Sequence, residues 1–286
     1  MRIGLRIPGA ASQMPFEDFC AWCKDTGFDA IDIGDVTSQV VQAATGAGLT
    51  IGTADLPAVR DLLSNDPDKQ KAGTATAKSA ISAAADNNIS IMFCVFLPED
   101  ASLGRARNYE IWQKTVPPVA EFAASKGVSI AIEGWPGGSP EYPALGCTPE
   151  MWRVMFADCP NGLGLNYDPS HLVRIGIDHL RALNEFAHKV LHVHAKDTVF
   201  DQEACYLHGN LGPVFHNPRG FGEDWWRYTI PGDGVVDWLK VLQRLEDEDF
   251  DGIVSVELED YRYWKDWPAQ AEGLRRSQSF LSDIVR

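Results

Sequence analysis

Three features of the sequence predict a single-domain α/β fold, the closed eight-stranded (β/α)8 TIM barrel. Eight short β-like segments alternate with helix-forming ones from end to end, which calls for a parallel sheet with right-handed crossovers. The 286-residue length suits one barrel. The first strand is followed by Arg6-Ile7-Pro8-Gly9, not by the G-x-G-x-x-G that a doubly wound open sheet, the competing arrangement, would favour.

The predicted strands are 2–7, 28–33, 49–54, 89–96, 128–133, 162–168, 190–196 and 252–258. The helix-forming stretches are 15–26, 37–47, 67–87, 106–126, 148–157, 179–189, 235–247 and 266–284. Thr148-Pro149-Glu150 and Asp178 supply helix starts. Thr26-Gly27, Asn87-Asn88, Lys126-Gly127 and Asp251-Gly252 supply left-handed stops. With no linker or short repeat, residues 1–286 read as one domain carrying a long insertion at about 197–234, well beyond the 2–6 residues usual for such a connection.

The hydrophobic fraction of 45%, with 13 Phe, 9 Trp and 7 Tyr, argues against disorder. A net charge of −15, from 25 Lys and Arg against 40 Asp and Glu, argues against a nucleic-acid partner, because no basic stripe offsets the repulsion from phosphates. No apolar run is long enough for a membrane span and the first residues lack a signal-peptide pattern, so a soluble cytoplasmic protein is expected. Trp264 and Trp267 suggest a surface for homo-oligomerisation. Cys20 and Cys23 form a C-x-x-C pair, yet with Phe16 and Phe19 they fall on one helical stripe and read as buried packing.

Alternation along the strands places chemistry in the lumen. Ile130 and Ile132, Leu163 and Leu165, Val193 and Ala195, and Val254 and Val256 face the helices, so the opposite parity faces inward. That parity sets Glu133, Asp168, His194 and Glu257 at the C-terminal ends of four strands, the end where barrels carry their active sites. Three converging carboxylates repel one another and shift upward in pKa unless a cation sits among them. Three carboxylates and one imidazole suit one divalent ion, Mn2+ first, with Co2+, Mg2+ or Zn2+ as alternatives. A purely structural lumen network of hydrogen bonds is the competing explanation.

The ordered set of Glu133 in AIEGWPGG, Asp168-Pro-Ser-His171, His194-Ala-Lys196-Asp197, Pro231-Gly-Asp-Gly and Glu257 in VSVELED resembles the xylose isomerase-like barrels. Within them it is similar to the sugar phosphate isomerase/epimerase group that includes ketose 3-epimerases and inosose-processing enzymes. The resemblance implies metal ligation by Glu133, Asp168, His194 and Glu257, with His171 and Lys196 lining a carbohydrate site. A DNA-repair branch of the superfamily draws histidines from earlier strands, whereas all seven here lie at 171–216.

The expected function is a metal-dependent isomerase or epimerase of a ketose or related keto-sugar. Glu133 and Glu257 move the proton next to the carbonyl, and the ion stabilises the enediolate. A lyase or hydratase eliminating from a keto-glycoside or inosose shares the same first step, and a non-catalytic sugar-binding barrel is the third reading. Arg6, inward by parity with Gly4, is a further substrate-binding candidate, and Trp135 and Trp226 are candidates to stack on a sugar face. His171 either reaches substrate or supports Asp168, and Asp197 orients Lys196. His192, one layer deeper, reads as structural, and His179 and His188 as solvent-facing. Pro231-Gly-Asp-Gly offers a helix-start phosphate site without a basic cluster beside it.

Overall fold

The computed structural model describes residues 1–139, 141–218 and 222–285. The described residues form the strands β1 (Arg2–Arg6), β2 (Ala30–Ile33), β3 (Thr50–Asp55), β4 (Ile91–Cys94), β5 (Ser129–Glu133), β6 (Leu163–Tyr167), β7 (Val190–Ala195), β8 (Asp197–Phe200), β9 (Trp226–Thr229) and β10 (Ile253–Val256). The eight predicted strands close into a parallel barrel in which β1 to β7 follow in order and β10 joins β7 to β1. The expected outward residues of β5, β6, β7 and β10 all enter one hydrophobic core under the helices. That segregation is what leaves the polar parity to the lumen.

The helices are α1 (Phe16–Thr26), α2 (Ser38–Gly46), α3 (Val59–Leu62), α4 (Pro67–Asp86), α5 (Gly104–Thr115), α6 (Pro117–Ser125), α7 (Pro149–Asp158), α8 (Pro169–Arg174), α9 (His179–Phe186), α10 (Gln202–His208), α11 (Trp238–Glu246) and α12 (Trp267–Ile284). The Thr148 side chain caps α7 and that of Asp178 caps α9, as their sequences suggest. Gly27 closes α1 at φ +96°, where a side chain would be strained. After α11 the left-handed residue is Asp249 at φ +57°, two residues before the expected Asp251-Gly252.

Two expectations change. The helix expected over 106–126 is two helices, because Pro117 and Pro118 lack the N–H groups that would continue the ladder. The insertion is not a bare loop: β8 and β9 pair antiparallel, Asp197 opposite Thr229 and Phe200 opposite Trp226, with α10 between them. Its residues 219–221 lie outside the described residues.

Cys20 and Cys23 are fully buried in α1, and burial pushes the Cys20 thiol up to about 11, which suits packing and not redox chemistry. Trp267 is not an exposed association surface: its ring packs edge-on against Trp22 and Phe19, at 4.9 and 5.7 Å between centroids. Trp264 remains exposed.

Candidate active site

Register and capping bring the acids together. β5 pairs with β6 so that Glu133 lies beside Asn166, whose Nδ2 donates to Glu133 Oε2. β10 pairs with β7 so that Ser255 lies beside His194, which carries Glu257 to the rim two residues later. Asp168 caps α8: its Oδ1 accepts from Ser170 N at 2.8 Å, which fixes the carboxylate and leaves Oδ2 turned toward the cluster. The same short helix brings in His171, whose Nε2 lies 2.8 Å from Glu133 Oε1 and 3.5 Å from Asp168 Oδ2.

Glu133, Asp168, His171 and Glu257 each place one potential ligand atom within 4.8 Å of the others. His194, expected as the imidazole ligand, groups by the same measure with Asp32 and His192. Its Nδ1 nevertheless faces the acids, 3.5 Å from Glu133 Oε2 and 3.3 Å from Glu257 Oε2. Its Nε2 faces the barrel floor, 3.8 Å from Asp32 Oδ2, and its ring stacks on Phe93 at 5.3 Å. His192 is 3.0 Å from the same Asp32 oxygen and fully buried, in keeping with a structural role. Gly52 on β3 makes room for this layer, since a Cβ there would stand 2.4 Å from Asp32 Oδ1.

Lys196 is the cation among the acids. Its buried Nζ donates to Glu257, to Glu259 at 2.7 Å, and lies 3.2 Å from Asp168 Oδ2. Arg6 lies at the opposite side of Glu257. Its two Nη atoms donate to Asp55 at 2.9 and 3.1 Å, its Nε stands 3.5 Å from Glu257 Oε1, and its guanidinium lies 4.4 Å over Phe93. A cleft of about 510 Å3, lined by Arg6, Gln13, Glu257, Glu259, Trp264 and Gln270 among others, opens at this side of the acids. That volume is in the range of small-molecule sites.

The charges divide unequally. Burial opposes ionisation of Glu133, yet His194 and His171 hold its carboxyl well below the usual range. Glu257 is likewise held down against burial by Lys196, His194 and Arg6. Asp168 goes the other way: burial, reinforced by Glu133 and Glu257 and only partly opposed by Lys196, pushes its carboxyl up to about 8. Burial with Lys196 nearby drops His171 to about 4, so it is neutral at pH 7, whereas Glu257 and Glu133 raise His194 in spite of burial. The pocket thus compensates its crowded acids with retained protons as well as with Lys196 and Arg6.

The donor set fits a divalent cation. Glu133 Oε1, Asp168 Oδ2 and His194 Nδ1 are buried and turn toward the same cluster, at ion-pair distance from His171, Lys196 and the two glutamates. Oxygen-rich ligation with one nitrogen is the chemistry of Mn2+, Mg2+, Co2+ and Zn2+ sites.

Other expected site residues fall elsewhere. Trp226 is buried in the wall behind the site, with Arg174 4.2 Å over its ring, so the face expected to meet a sugar meets a guanidinium. Trp135 is half-buried in the loop after β5 and makes no hydrogen bond among the described residues. Asp197 does not orient Lys196. Strand alternation turns its carboxylate outward, where it accepts from Gly232 N at 3.3 Å, Val236 N at 3.0 Å and Trp238 Nε1 at 3.2 Å. It thereby fills with a resident anion the turn that seemed open to phosphate. His188 is exposed, but His179 is half-buried.

The residues not anticipated are Asp32, Asp55, Glu259, Arg174 and Tyr228. Asp32 and Glu259 share the inward parity of Ala30 and Glu257, a signal within reach of the same reasoning. Asp55 stands one residue past the predicted end of its strand. Arg174 and Tyr228 carry no periodic signal, because they sit on an unpredicted short helix and in the insertion.

Solved structures share the fold at low identity. A D-psicose 3-epimerase from Clostridium cellulolyticum H10 superposes with a TM-score of 0.73 at 14% identity, covering all of both chains. A 3-keto-D-glucoside 4-epimerase from E. coli gives 0.69 at 17%, covering 99% of each. Among curated sequences, an inosose dehydratase of Geobacillus thermodenitrificans is 30% identical over 148 residues, 49% of this chain and 44% of that protein. One from Lacticaseibacillus casei is 31% identical over 113 residues, 39% of this chain and 36% of its own length. The chain thus spans less than half the length of these curated relatives. The profile of the xylose isomerase-like TIM barrel family matches residues 20–284, a span that holds every acid and imidazole of the cluster, and the chain belongs to that family.

Proposed function

We propose that the protein is a divalent-metal-dependent isomerase or epimerase of a ketose or related keto-sugar. The observation that carries this reading is the pair Glu133 and Glu257, two carboxylates held ionised on either side of one imidazole, 3.5 and 3.3 Å from His194 Nδ1. Glu133, Asp168, Glu257 and His194 would hold the ion, Mn2+ ahead of Co2+, Mg2+ or Zn2+. When bound, such an ion supplies Lewis-acid stabilisation of the negative charge that grows on a carbonyl oxygen, worth several kcal/mol.

The residues of the chain do the rest. Glu133 and Glu257 come from strands that are not neighbours in the barrel, so a sugar seated between them is flanked from two sides. One carboxylate takes the proton from the carbon beside the carbonyl and the other returns one, a service typically worth about 10²–10⁴-fold in rate. Asn166 fixes the rotamer of Glu133, and Lys196 with Arg6 fixes that of Glu257. The Lys196 ammonium, donating to Glu257, stabilises that carboxylate as an anion ready to accept a proton, and the carboxylate that returns a proton must first take it up from water. All six cysteines are free thiols, which suits a cytoplasmic setting.

Dehydration of an inosose is the second reading, favoured by the sequence similarity to proteins named inosose dehydratase. It shares the proton abstraction and then expels a β-hydroxyl. The deciding experiment strips the protein with chelator, restores Mn2+, and offers ketoses, keto-glycosides and inososes in deuterated water. Deuterium incorporation without loss of water identifies epimerisation, and a new enone absorbance identifies elimination. Turnover of either kind that survives complete chelation sinks the metal-dependent reading.

A further inference from the structure

Five of the nine large apolar side chains that stand exposed among the described residues lie in one short stretch of the insertion: Tyr206, Leu207, Leu211, Val214 and Phe215. Two of them are almost bare, Leu211 at 92% and Phe215 at 98% exposure. The start of this stretch is anchored to the β8–β9 pair. Asp201 caps α10, its Oδ1 accepting from Ala204 N at 2.9 Å, while its own N donates to Trp225 O at 2.9 Å. Ala204, Cys205 and His208 are the half-buried residues of α10, which leaves Tyr206 and Leu207 turned to solvent.

Single exposed apolar side chains need no partner, but a concentration of them does. With an aromatic side chain worth about 150–250 Å2 and an aliphatic one somewhat less, the five expose on the order of 600 Å2. That is the upper end of the largest patch on a typical monomer, and about three-quarters of the roughly 800 Å2 that each partner of a stable complex buries.

Charge selects the partner. Residues 204–218 contain no Asp, Glu, Lys or Arg, although 23% of the chain is charged and the net charge is −15. Two copies of so acidic a molecule repel wherever their carboxylates meet, and an uncharged apolar face lets them touch without desolvating an acid. A basic partner, which the net charge attracts, finds no acid to pair with there. Glu203, the acid next to the stretch, is exposed and falls at its edge.

We propose that this face of the insertion is the self-association surface of the protein, meeting the same face of a second copy about a twofold axis. A patch that is its own complement closes as a dimer and leaves no further copy to add. Tyr206 and Phe215, the two aromatic side chains of the patch, are its anchors. The surface is independent of the reaction assigned to the acids.

Sedimentation equilibrium of the full-length protein tests this, and should give twice the mass of one chain. Leu211→Glu and Phe215→Glu, made separately and together, each put a carboxylate into the face. They should weaken association at least about 100-fold, with the thermal midpoint unchanged because neither side chain packs on the barrel. Leu239→Glu, at an exposed position of α11, should leave the dimer intact. Because the copies repel at long range, raising sodium chloride from about 0.05 to 0.5 M should tighten the dimer, whereas an interface of ion pairs would loosen. Amide exchange gives a reading without substitution: protection within 206–215 should rise as the wild type is concentrated. A wild type that remains a single chain at every concentration and salt overturns the proposal, as it would if a different protein or a membrane covered the face. So does a dimer that survives the double substitution, one lost equally in Leu239→Glu, or protection that rises only outside 206–215. Mass that keeps growing with concentration overturns the twofold arrangement.

Discussion

Loading the protein with a divalent ion should expel protons, and the structure says roughly how many. Asp168 titrates at about 8 because it is buried beside Glu133 and Glu257. Such a group is about nine-tenths protonated at pH 7, and a cation must displace that proton to reach the carboxylate. His194, raised by the same two acids, surrenders a second proton if its Nδ1 ligates. Asp168 alone exposes about fifty times more carboxylate at pH 8 than at pH 6, so the Mn2+ dissociation constant should tighten at least about 50-fold across that interval. Manganese titrations followed by the EPR signal of the free ion, at pH 6, 7 and 8, read this directly. Calorimetry in buffers of different ionisation enthalpy counts the protons, expected between one and two per ion. A pH-independent affinity with no protons released would refute the reasoning, since the acids would then not be sharing protons where the ion goes. The same group ties stability to pH in the chelated protein. Its pKa is raised on folding, so its contribution is complete below about 3.8 and is lost as pH climbs through about 8.

Further substitutions separate the roles. Glu133→Gln and Glu257→Gln should each lower turnover by about 10²–10⁴-fold while the thermal midpoint changes little, and a variant of either that keeps full activity removes it from proton transfer. His194→Ala should weaken Mn2+ binding, with His171→Ala leaving it largely intact; the reverse pattern in a metal titration would assign the ligand to His171. Lys196→Met leaves Asp168, Glu257 and Glu259 facing one another in a buried pocket. In urea unfolding of the chelated protein it should cost about 3–5 kcal/mol, part of it recovered by Mn2+, and unchanged stability would show that the ammonium does not hold the acids together.

The barrel and four of its rim residues were legible because both rest on alternation. Apolar residues such as Ile130, Val193 and Val254 had to face the helices, which fixed the direction of Glu133, His194 and Glu257 without knowledge of any contact. The same parity applied to 28–33 would have added Asp32, and carried one pair beyond Glu257 it would have added Glu259. What alternation does not encode is depth and partner choice. His194 and His171 both arrive at the acids, but only coordinates show that one reaches Glu133 by its Nδ1 and the other by its Nε2. Trp226 failed as a sugar platform for a related reason: an aromatic side chain in an insertion announces packing surface without saying what covers it, and Arg174 covers it.

Arg174 and Tyr228 also show where divergence of substrate should be sought. The acids sit on strands whose register is set by the closed barrel, so moving one of them requires moving a strand. The β8–β9 pair lies outside that constraint, fastened to the frame by Asp197 in the turn before α11 and by Thr198 Oγ1 on Ser170 O at 2.9 Å. Its Tyr228 nevertheless ends on the imidazole beside Glu133. On the proposed function, a change in this module would alter the surroundings of His171 without disturbing the carboxylates assigned to proton transfer. Grafting another β8–β9 module onto this barrel, with Asp197 and Thr198 retained, should change the preferred sugar while Mn2+ affinity holds. Parallel loss of both would mean that the insertion supports the metal ligands themselves and has no separate hold on the substrate.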